Sequence, residues 1–317
     1  MKRLDRVLVC GAGAVGSTYA AKLFERDPTC VSLVAGGERR ERLRREGVTV
    51  NGRRYDFQLL PAGETGPKAD VLLVAVKQHH LAAAIEELRG YVGPDTIVLS
   101  LLNGISSEGQ LAAAFGAEKV LHAYVVGTDF VREGVATRYT SIGRIVFGAA
   151  SKDPGDARVA AVRALFEQGG IPHVVSPDIL RELWWKFMLN VGVNQVSAVL
   201  RAPYGAFALP EVGALARDAM REVVALSAYE GVPLSEADVE RCFPIFATLA
   251  PEGKTSMLQD VEAGRKTEVE IFSGAVVALG KKHGVATPVN GLLGRLITAL
   301  ERLSQRPGGS PPRRAGA

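Results

Sequence analysis

The sequence predicts an α/β protein in which a domain built on a doubly wound parallel sheet is followed by an all-helical C-terminal domain. Two observations support this fold class. Short apolar, β-branched runs alternate with helical segments through the first half of the chain, and from about residue 178 only helical segments continue, to about residue 304. Continuous apolar strands that alternate with helices are typical of a parallel sheet covered on both faces.

The predicted elements follow one another in a regular order. Helical segments such as STYAAKLFERD and HLAAAIEELRGY lie between strand candidates, and DARVAAVRALFEQGG reads as one more helix. TRYTSIGRIVFGAA has the composition of hairpin strands. The remaining strand candidates are RVLVC (6–10), VSLVA (31–35), VLLVAVK (71–77), TIVLSLLNG (96–104) and KVLHAYVV (119–126). We therefore expect one domain over residues 1–177 and a second over residues 178–304.

Length and composition describe an ordinary globular protein. The 317 residues favour two domains over a single core, and 47% hydrophobic with 23% charged residues is a typical balance. Part of the net charge of +4 comes from arginines in the tail RPGGSPPRRAGA. We expect residues 305–317 to be disordered and expect no nucleic-acid partner.

Cysteine content and the N-terminus bear on location. Three scattered cysteines favour a reducing compartment over a disulfide framework or a zinc knuckle. The stretch MKRLDRVLVCGAG has only a strand-length apolar run and no cleavage signal, and no uninterrupted membrane span follows. We expect a cytoplasmic protein without membrane contact. No metal is expected, because the five histidines lack ligand spacing.

A glycine-rich loop, GAGAVG, lies directly between the first strand and the first helix. Gly11 permits the tight turn, Gly13 lets the backbone approach a pyrophosphate, and Gly16 allows the helix to pack closely on the strand. The N–H groups at the helix start, where Ala14 and Val15 lie, receive the phosphate charge. In this setting the loop predicts a Rossmann-type domain that binds a dinucleotide.

The end of the second strand indicates which dinucleotide. A carboxylate for the ribose hydroxyls is common there in NAD sites, but this sequence has Gly36 and Gly37. Arg39 and Arg40 follow, and guanidinium groups suit a 2′-phosphate by charge and geometry. The interpretation favoured is NADP. One alternative is that these arginines belong to a solvated helix face. Another is that Glu38 binds the ribose of NAD.

The run LWWKFMLNVGVNQ, residues 183–195, places one lysine among large apolar side chains. Such a lysine is expensive to desolvate unless it has partners or a task. On a helix, Lys186, Asn190 and Asn194 step by four residues and therefore share one face. The structural alternative is a lysine that reaches the surface and asparagines that satisfy backbone groups.

A second polar row is predicted in TSMLQDVEAGRKTEVEIFSG, residues 255–274. Ser256, Asp260, Gly264 and Glu268 are spaced by four, and on one helix they form a polar stripe interrupted by a glycine. The structural alternative is that the two acids face water or pair with Arg265. Two such rows in one helical domain, after a dinucleotide fold, favour an active site.

These motifs together resemble the ketopantoate reductase family, the 2-dehydropantoate 2-reductases of pantothenate synthesis. The resemblance rests on GAGAVG, on VKQ with LLNG, on ELWWKFMLNVGVNQVSAV, and on SMLQDVEAGRKTEVEIFSG followed by HGVATPVN. These stretches span nearly the whole chain in the family's order. The lysine helix and the SMLQD…TE segment are far more specific than the glycine loop.

The resemblance implies roles for the polar residues of the helical domain. Lys186 matches the family's catalytic lysine, and Glu268 matches the acid that holds the substrate hydroxyl. Asn190, Asn194 and Ser256 match substrate-binding positions.

It also implies roles at the ends of two strands of the first domain. Lys77 and Asn103 match residues at the cofactor and substrate crevice. Asp260 is typical of the motif, with a role that can be structural. The family usually has a glutamine before the LLNG asparagine, and this chain has Leu102 there.

The chemistry of these side chains is coherent for reduction of a 2-keto acid. Hydride delivered to the carbonyl carbon leaves negative charge on oxygen, which an ammonium stabilises while donating the proton. Amides and a hydroxyl suit a carboxylate, and Glu268 suits a substrate hydroxyl. His79 and His80 are expected to face solvent. His122 is the one histidine that is a candidate for catalysis, and we interpret it instead as a satisfied core histidine.

We therefore expect an NADPH-dependent reductase of 2-dehydropantoate that acts on a small-molecule 2-keto acid, with a homodimer as an open alternative to a monomer. A related dehydrogenase of another 2-keto acid or an imine is a second hypothesis, and β-hydroxyacid dehydrogenases also place K-x-x-x-N on a helix. A third is a non-catalytic NADP-binding sensor, which would have no need of Lys186 as proton donor.

Overall fold

The computed structural model describes residues 4–305, and the chain divides after Leu180 into two compact units. The expected domain boundary at residues 177 and 178 falls close to this division, near the start of the long helix Ile179–Leu200. The predicted tail covers residues 305–317, of which residues 306–317 lie outside the described part of the chain.

The first unit contains strands and five α-helices. The strands are β1 Val7–Cys10, β2 Val31–Ala35, β3 Val48–Val50, β4 Arg53–Tyr55, β5 Gln58–Pro61, β6 Val71–Val74, β7 Ile97–Ser100, β8 Val120–Thr128, β9 Val131–Glu133, β10 Ala136–Arg138, β11 Ile142–Gly148 and β12 His173–Val175. The helices are α1 Ala14–Arg26, α2 Gly37–Glu46, α3 Leu81–Leu88, α4 Ser107–Phe115 and α5 Ala157–Gln168.

Eight of these strands form the main sheet, in the order β12-β11-β8-β7-β6-β1-β2-β5. Within it only β8 and β11 pair antiparallel. From the centre, the order runs β1-β2-β5 to one side and β6-β7-β8 to the other, so the direction of winding reverses between β1 and β6. This confirms the predicted doubly wound sheet and makes the carboxyl ends of β1 and β6 the place where such folds bind ligands.

The alternation along β1 explains why its sequence is continuously apolar. Val7 and Val9 belong to one hydrophobic cluster, together with buried residues of α1. Leu8 and Cys10 belong to a second cluster, together with buried residues of α3. Both faces of the strand are therefore covered, as a parallel sheet requires.

A second, four-stranded sheet was not predicted. Its order is β4-β3-β10-β9, and β3 pairs parallel with β10 although the two strands are far apart in sequence. The stretch TRYTSIGRIVFGAA, predicted as hairpin-type strand material, contributes to two antiparallel pairs in different sheets, because β10 pairs with β9 and β11 pairs with β8. The strands of the small sheet have three residues each, too few to show a periodicity.

The second unit is helical, and no strand is described between residues 181 and 305. Among residues 4–305, no helix combines the length and apolarity needed to cross a membrane. The helices are α6 Ile179–Leu200, α7 Pro210–Ser227, α8 Glu236–Glu240, α9 Phe243–Thr248, α10 Ser256–Glu262, α11 Ser273–His283 and α12 Pro288–Ser304.

A buried polar network joins three of these helices. The amide nitrogen of Gln195 on α6 donates to the side-chain oxygen of Asn290 on α12, at 2.9 Å, and Asn290 donates to Glu222 on α7, at 2.7 Å. The carboxylate of Glu222 also accepts the backbone N–H groups of Val289 and Asn290. The HGVATPVN motif therefore has a structural purpose, since Glu222 caps the start of α12.

Candidate active site

The glycine loop lies at the carboxyl end of β1, and its three glycines have different surroundings. Gly11 has φ +110°, and a Cβ there would lie 2.3 Å from the Ala75 carbonyl oxygen. A Cβ on Gly16 would lie 1.9 Å from the Gly11 carbonyl oxygen. At Gly13, by contrast, the nearest atom would be 3.8 Å away. Two glycines are thus required by the protein's own packing, whereas Gly13 leaves room beside the backbone.

The start of α1 is suited to an anion. Gly13 is the N-cap residue, without a side chain that could cap the helix. Ala14 and Val15 are the first helical residues and are half-buried. The N–H groups of a helix's first turn lack intrahelical partners and carry partial positive charge, so they attract phosphate.

Two further predicted residues lie at the same edge of the sheet. Lys77 follows β6, and Asn103 follows β7. The strands β1, β6 and β7 are neighbours and parallel, so the structure brings both residues to the edge that carries the glycine loop. Both side chains are half-buried, and Leu102 beside Asn103 is buried.

Arg39 and Arg40 lie in the first turn of α2, whose N-cap is Gly36. Arg39 is exposed and lies near the end of β1: burial raises the pKa of the Cys10 thiol to about 12, and the charge of Arg39 opposes that rise. Arg40 is half-buried, and its Nε has no hydrogen-bond partner among residues 4–305. The positive charge of Arg40 lowers the pKa of Tyr91, although burial raises that pKa more strongly. The two arginines therefore have different environments, and Arg39 is the one near the glycine loop.

In the second unit, Lys186, Asn190 and Asn194 lie on α6, as predicted. The spacing of four within one regular helix places them on one face. Asn190 and Asn194 are 9% and 7% exposed, and Lys186 is half-buried. Large side chains cover the neighbouring positions, with the Trp184 and Phe187 rings packed edge to face at 5.8 Å.

The start of α6 is anchored by an acid that was not singled out from the sequence. Both oxygens of Asp238 accept hydrogen bonds from the Arg181 guanidinium, at 2.8 and 2.9 Å. The Trp185 indole donates to the Asp238 backbone carbonyl at 3.1 Å. Burial acts to raise the pKa of Asp238, but the bonds from Arg181 and Ser235 hold it below its ordinary value. Asp238 therefore orients the turn of α6 that precedes Lys186.

The expectation that Ser256, Asp260, Gly264 and Glu268 share one helix is wrong. Helix α10 ends at Glu262, and Gly264 has φ +63°. The N–H of Arg265 donates to the Asp260 carbonyl, and the N–H of Gly264 to the Val261 carbonyl. This is a Schellman motif, in which a glycine in the left-handed region terminates the helix.

The pairing that ends α10 also decides the role of Asp260. Its carboxylate is 8% exposed and accepts a 2.9 Å hydrogen bond from Arg265. This confirms the structural alternative for Asp260. Gly264 is a helix terminator, not a gap left for a ligand.

Glu268 is placed by the segment that follows α10. It caps a short 3₁₀-helix, Val269–Ile271, and is 8% exposed. The residue before it, Thr267, donates its N–H and its hydroxyl to the Glu301 carboxylate, at 2.7 and 2.5 Å. The backbone next to Glu268 is thus fixed on α12.

Ser256 is the first residue of α10 and is exposed. The preceding residue, Thr255, caps the helix by accepting from the N–H of Leu258 at 3.1 Å. Its hydroxyl also bonds to Ser197 on α6 at 3.1 Å. This contact brings the start of α10 to the last turns of α6, within one turn of Asn194.

The histidines differ from expectation in one case. His79 and His80 are exposed, as predicted, with ring centroids 4.2 Å apart. His122 on β8 is half-buried, and burial lowers its pKa. Its Nδ1 is buried without a hydrogen-bond partner in the described residues, so the expectation of a satisfied histidine is wrong.

A doubly wound sheet with a glycine loop, followed by a helical unit carrying a lysine and two asparagines in a row, defines a class of two-domain oxidoreductases. Residues 7–152 match the family described as ketopantoate reductase PanE/ApbA, and residues 178–301 match its C-terminal part. A 2-dehydropantoate 2-reductase from Halobacterium salinarum is 32% identical over 96% of this chain and 100% of that protein. The chain belongs to the ketopantoate reductase family and is an oxidoreductase.

Solved structures are similar over nearly the whole chain. A 2-dehydropantoate 2-reductase from Methylococcus capsulatus is 28% identical with a TM-score of 0.81, over 95% of this chain and 98% of that one. A D-mandelate dehydrogenase with NADH and anilino(oxo)acetate is 22% identical with a TM-score of 0.83, over 94% of this chain and 98% of that one. The second likeness supports the fold alone.

Proposed function

We propose that the protein reduces 2-dehydropantoate (ketopantoate) to pantoate with NADPH, a step of pantothenate biosynthesis. The observation that carries this proposal is the row formed by half-buried Lys186 and buried Asn190 and Asn194 on α6, in a chain of the ketopantoate reductase family. A half-buried ammonium and two buried amides on one face of a helix can serve a carbonyl oxygen and a carboxylate.

The first unit is proposed to bind the dinucleotide over residues 1–177. The residues fit this group, because Gly13 leaves room for a pyrophosphate beside the N-terminus of α1. Lys77 and Asn103 would contact the nicotinamide half, and Arg39 the 2′-phosphate. When bound, the nicotinamide supplies the hydride.

The helical unit, residues 178–304, is proposed to hold the substrate and the proton donor. Lys186 stabilises the negative charge that develops on the carbonyl oxygen and donates the proton to it. The amides of Asn190 and Asn194 and the hydroxyl of Ser256 donate hydrogen bonds to the substrate's polar groups.

Glu268 is proposed to select the substrate by accepting a hydrogen bond from its hydroxyl group. Because Glu268 is only 8% exposed, its carboxylate is a buried acceptor, and an analogue without the hydroxyl would lose the hydrogen bond to it. If the protein is instead a reductase of another 2-keto acid, it should prefer an analogue without that hydroxyl. Assembly as a homodimer and a cytoplasmic location stay predictions.

The test is NADPH oxidation by purified protein with ketopantoate, 2-ketoisovalerate, oxaloacetate and pyruvate. We expect the highest kcat/KM with ketopantoate. Lys186→Ala should lower kcat by about 10²-fold or more, since general acid catalysis is worth about 10² to 10⁴-fold. Glu268→Ala should raise KM for ketopantoate far more than for 2-ketoisovalerate, which lacks the hydroxyl.

Lys281→Ala is the matched control, because this lysine is an exposed residue near the end of α11. It should retain native kcat and KM. Thermal unfolding of Lys186→Ala should remain native-like, since alanine favours a helix. Near-native turnover by a folded Lys186→Ala variant would refute the proposed mechanism, and NADPH binding without turnover of any 2-keto acid would favour a sensor.

A further inference from the structure

A third arginine, Arg132, lies close to the region that Arg39 occupies. It belongs to β9, in the small sheet that the sequence did not predict. In the antiparallel pairing of β9 with β10, Arg132 stands opposite Thr137. Its Nη1 donates to the Thr137 hydroxyl at 3.4 Å, which is the one side-chain hydrogen bond of Arg132 within residues 4–305.

Buried hydroxyl groups connect Arg132 to the glycine loop. The Thr137 hydroxyl lies 3.3 Å from the Ser17 hydroxyl on α1, and both residues are fully buried. Ser17 in turn donates to the Gly13 carbonyl oxygen at 2.6 Å. The chain of contacts runs from Gly13 through Ser17 and Thr137 to Arg132, so the hairpin is fixed against the first turns of α1.

The charges that act on the pKa of Arg132 are positive. Burial, and then the charges of Arg39 and Arg42 on α2, together lower its pKa to about 10. At pH 7 it is still protonated. A half-buried guanidinium that bonds to the Thr137 hydroxyl, is linked through Ser17 to the glycine loop and stands near two exposed arginines is suited to bind an anion.

We propose that Arg132 is a specificity-determining residue that binds the 2′-phosphate of the dinucleotide together with Arg39. Residues from two different elements, α2 and the β9–β10 hairpin, would then hold the phosphate from two sides. The guanidinium has five N–H donors and can bind an oxyanion through two parallel hydrogen bonds. This inference rests on the proposed use of NADPH, and it assigns a purpose to the small sheet.

The test compares dissociation constants of NADPH, NADH and adenosine 2′,5′-bisphosphate, measured by calorimetry or fluorescence titration. Arg132→Gln should weaken NADPH and the bisphosphate by about 10- to 100-fold, the equivalent of about 1.5 to 3 kcal/mol for a hydrogen bond to a charged group. NADH, which lacks the 2′-phosphate, should change less than about 2-fold.

Arg138→Gln is the matched control. Arg138 lies on the same hairpin, is exposed, and stands opposite exposed Val131, so it is on the other face of the strand from Thr137. It should bind all three ligands as the native protein does. Arg132→Lys preserves the charge and should lose less affinity for NADPH than Arg132→Gln, which keeps the test usable if glutamine disturbs folding.

The outcomes separate this inference from the proposed function. If the native protein prefers NADPH and Arg39→Gln weakens it, but Arg132→Gln and Arg132→Lys leave NADPH unchanged, the role of Arg132 is refuted alone. Equal losses for NADPH and NADH would mean that Arg132 only supports the fold, which also refutes it. Equal affinities of the native protein for the two dinucleotides would overturn both proposals.

Discussion

Gly13 and Gly16 are three residues apart in one loop, and the structure predicts opposite consequences when each is replaced by alanine. A Cβ on Gly16 would lie 1.9 Å from the Gly11 carbonyl oxygen, roughly 1.5 Å inside the 3.4 Å at which ordinary contact begins. A Cβ on Gly13 would have its nearest neighbour at 3.8 Å, an ordinary contact. The first change should therefore act on stability, and the second on cofactor binding.

For Gly16→Ala, the obstacle is a backbone atom, so α1 must move relative to β1. Overpacking typically costs about 1 to 3 kcal/mol. Alanine recovers up to about 1 kcal/mol through its higher helix propensity. Because a backbone atom is the obstacle, we take the upper end of that cost, about 3 kcal/mol, and expect a net loss of about 2 kcal/mol, which lowers Tm by roughly 4 to 8 °C.

For Gly13→Ala, stability should stay within about 1 kcal/mol of the native value, because alanine is only a poorer N-cap residue than glycine. The new methyl group would occupy the room proposed for the pyrophosphate. A steric cost of about 1 to 3 kcal/mol corresponds to a roughly 5- to 150-fold weaker NADPH complex.

Thermal unfolding monitored by circular dichroism and fluorescence titration with NADPH measure the two effects separately. Each variant is the control for the other. A Gly16→Ala protein as stable as the native one would contradict the close packing of α1 on the loop. A Gly13→Ala protein that binds NADPH with native affinity would contradict the proposed pyrophosphate site.

Two further predictions follow from buried ionisable groups. Because the pKa of Asp238 is below its ordinary value in the folded protein, its contribution to stability is present above the unfolded pKa of about 3.9 and is lost as the pH falls through the folded pKa. Asp238→Asn should lower stability at pH 7 by about 1.5 to 3 kcal/mol, because it weakens the hydrogen bonds from Arg181. It should also flatten the acid limb of a stability–pH profile. An unchanged acid limb would be evidence against this role. Cys10 is buried with a pKa raised to about 12, so a thiol reagent at pH 8 should label it only after unfolding. Titration with such a reagent should find three thiols in denaturant, and rapid labelling of Cys10 in the native protein would contradict its burial; the other two are Cys30 and Cys242.

The elements that could be predicted from the sequence are those with a strong local pattern. The five apolar runs that became β1, β2, β6, β7 and β8 are buried on both faces, so each reads as a strand without knowledge of its neighbours. The glycine loop is equally local, since Gly11 and Gly16 are required by contacts within a single strand–turn–helix unit and the adjacent strand end. The row on α6 follows from helical spacing alone.

The residues around Glu268 could be named from the sequence but not placed. A spacing of four continues through Gly264 whether or not the helix does, so periodicity could not reveal that α10 ends at Glu262. The end is decided by the left-handed backbone of Gly264 and by the bonds that close the Schellman motif. The residue before Glu268, Thr267, is fixed in addition by its hydrogen bond to Glu301.

The pairing of the small sheet and the surroundings of Arg132 depend on tertiary structure alone. Strands of three residues carry almost no periodic signal, and β3 pairs in parallel with β10, a strand far from it in sequence. In the sequence, Arg132 belongs to none of the motifs that predict a site. It is the fold that sets it opposite Thr137 and near Arg39, because long-range pairing, which no local pattern encodes, fixes which side chains share a face.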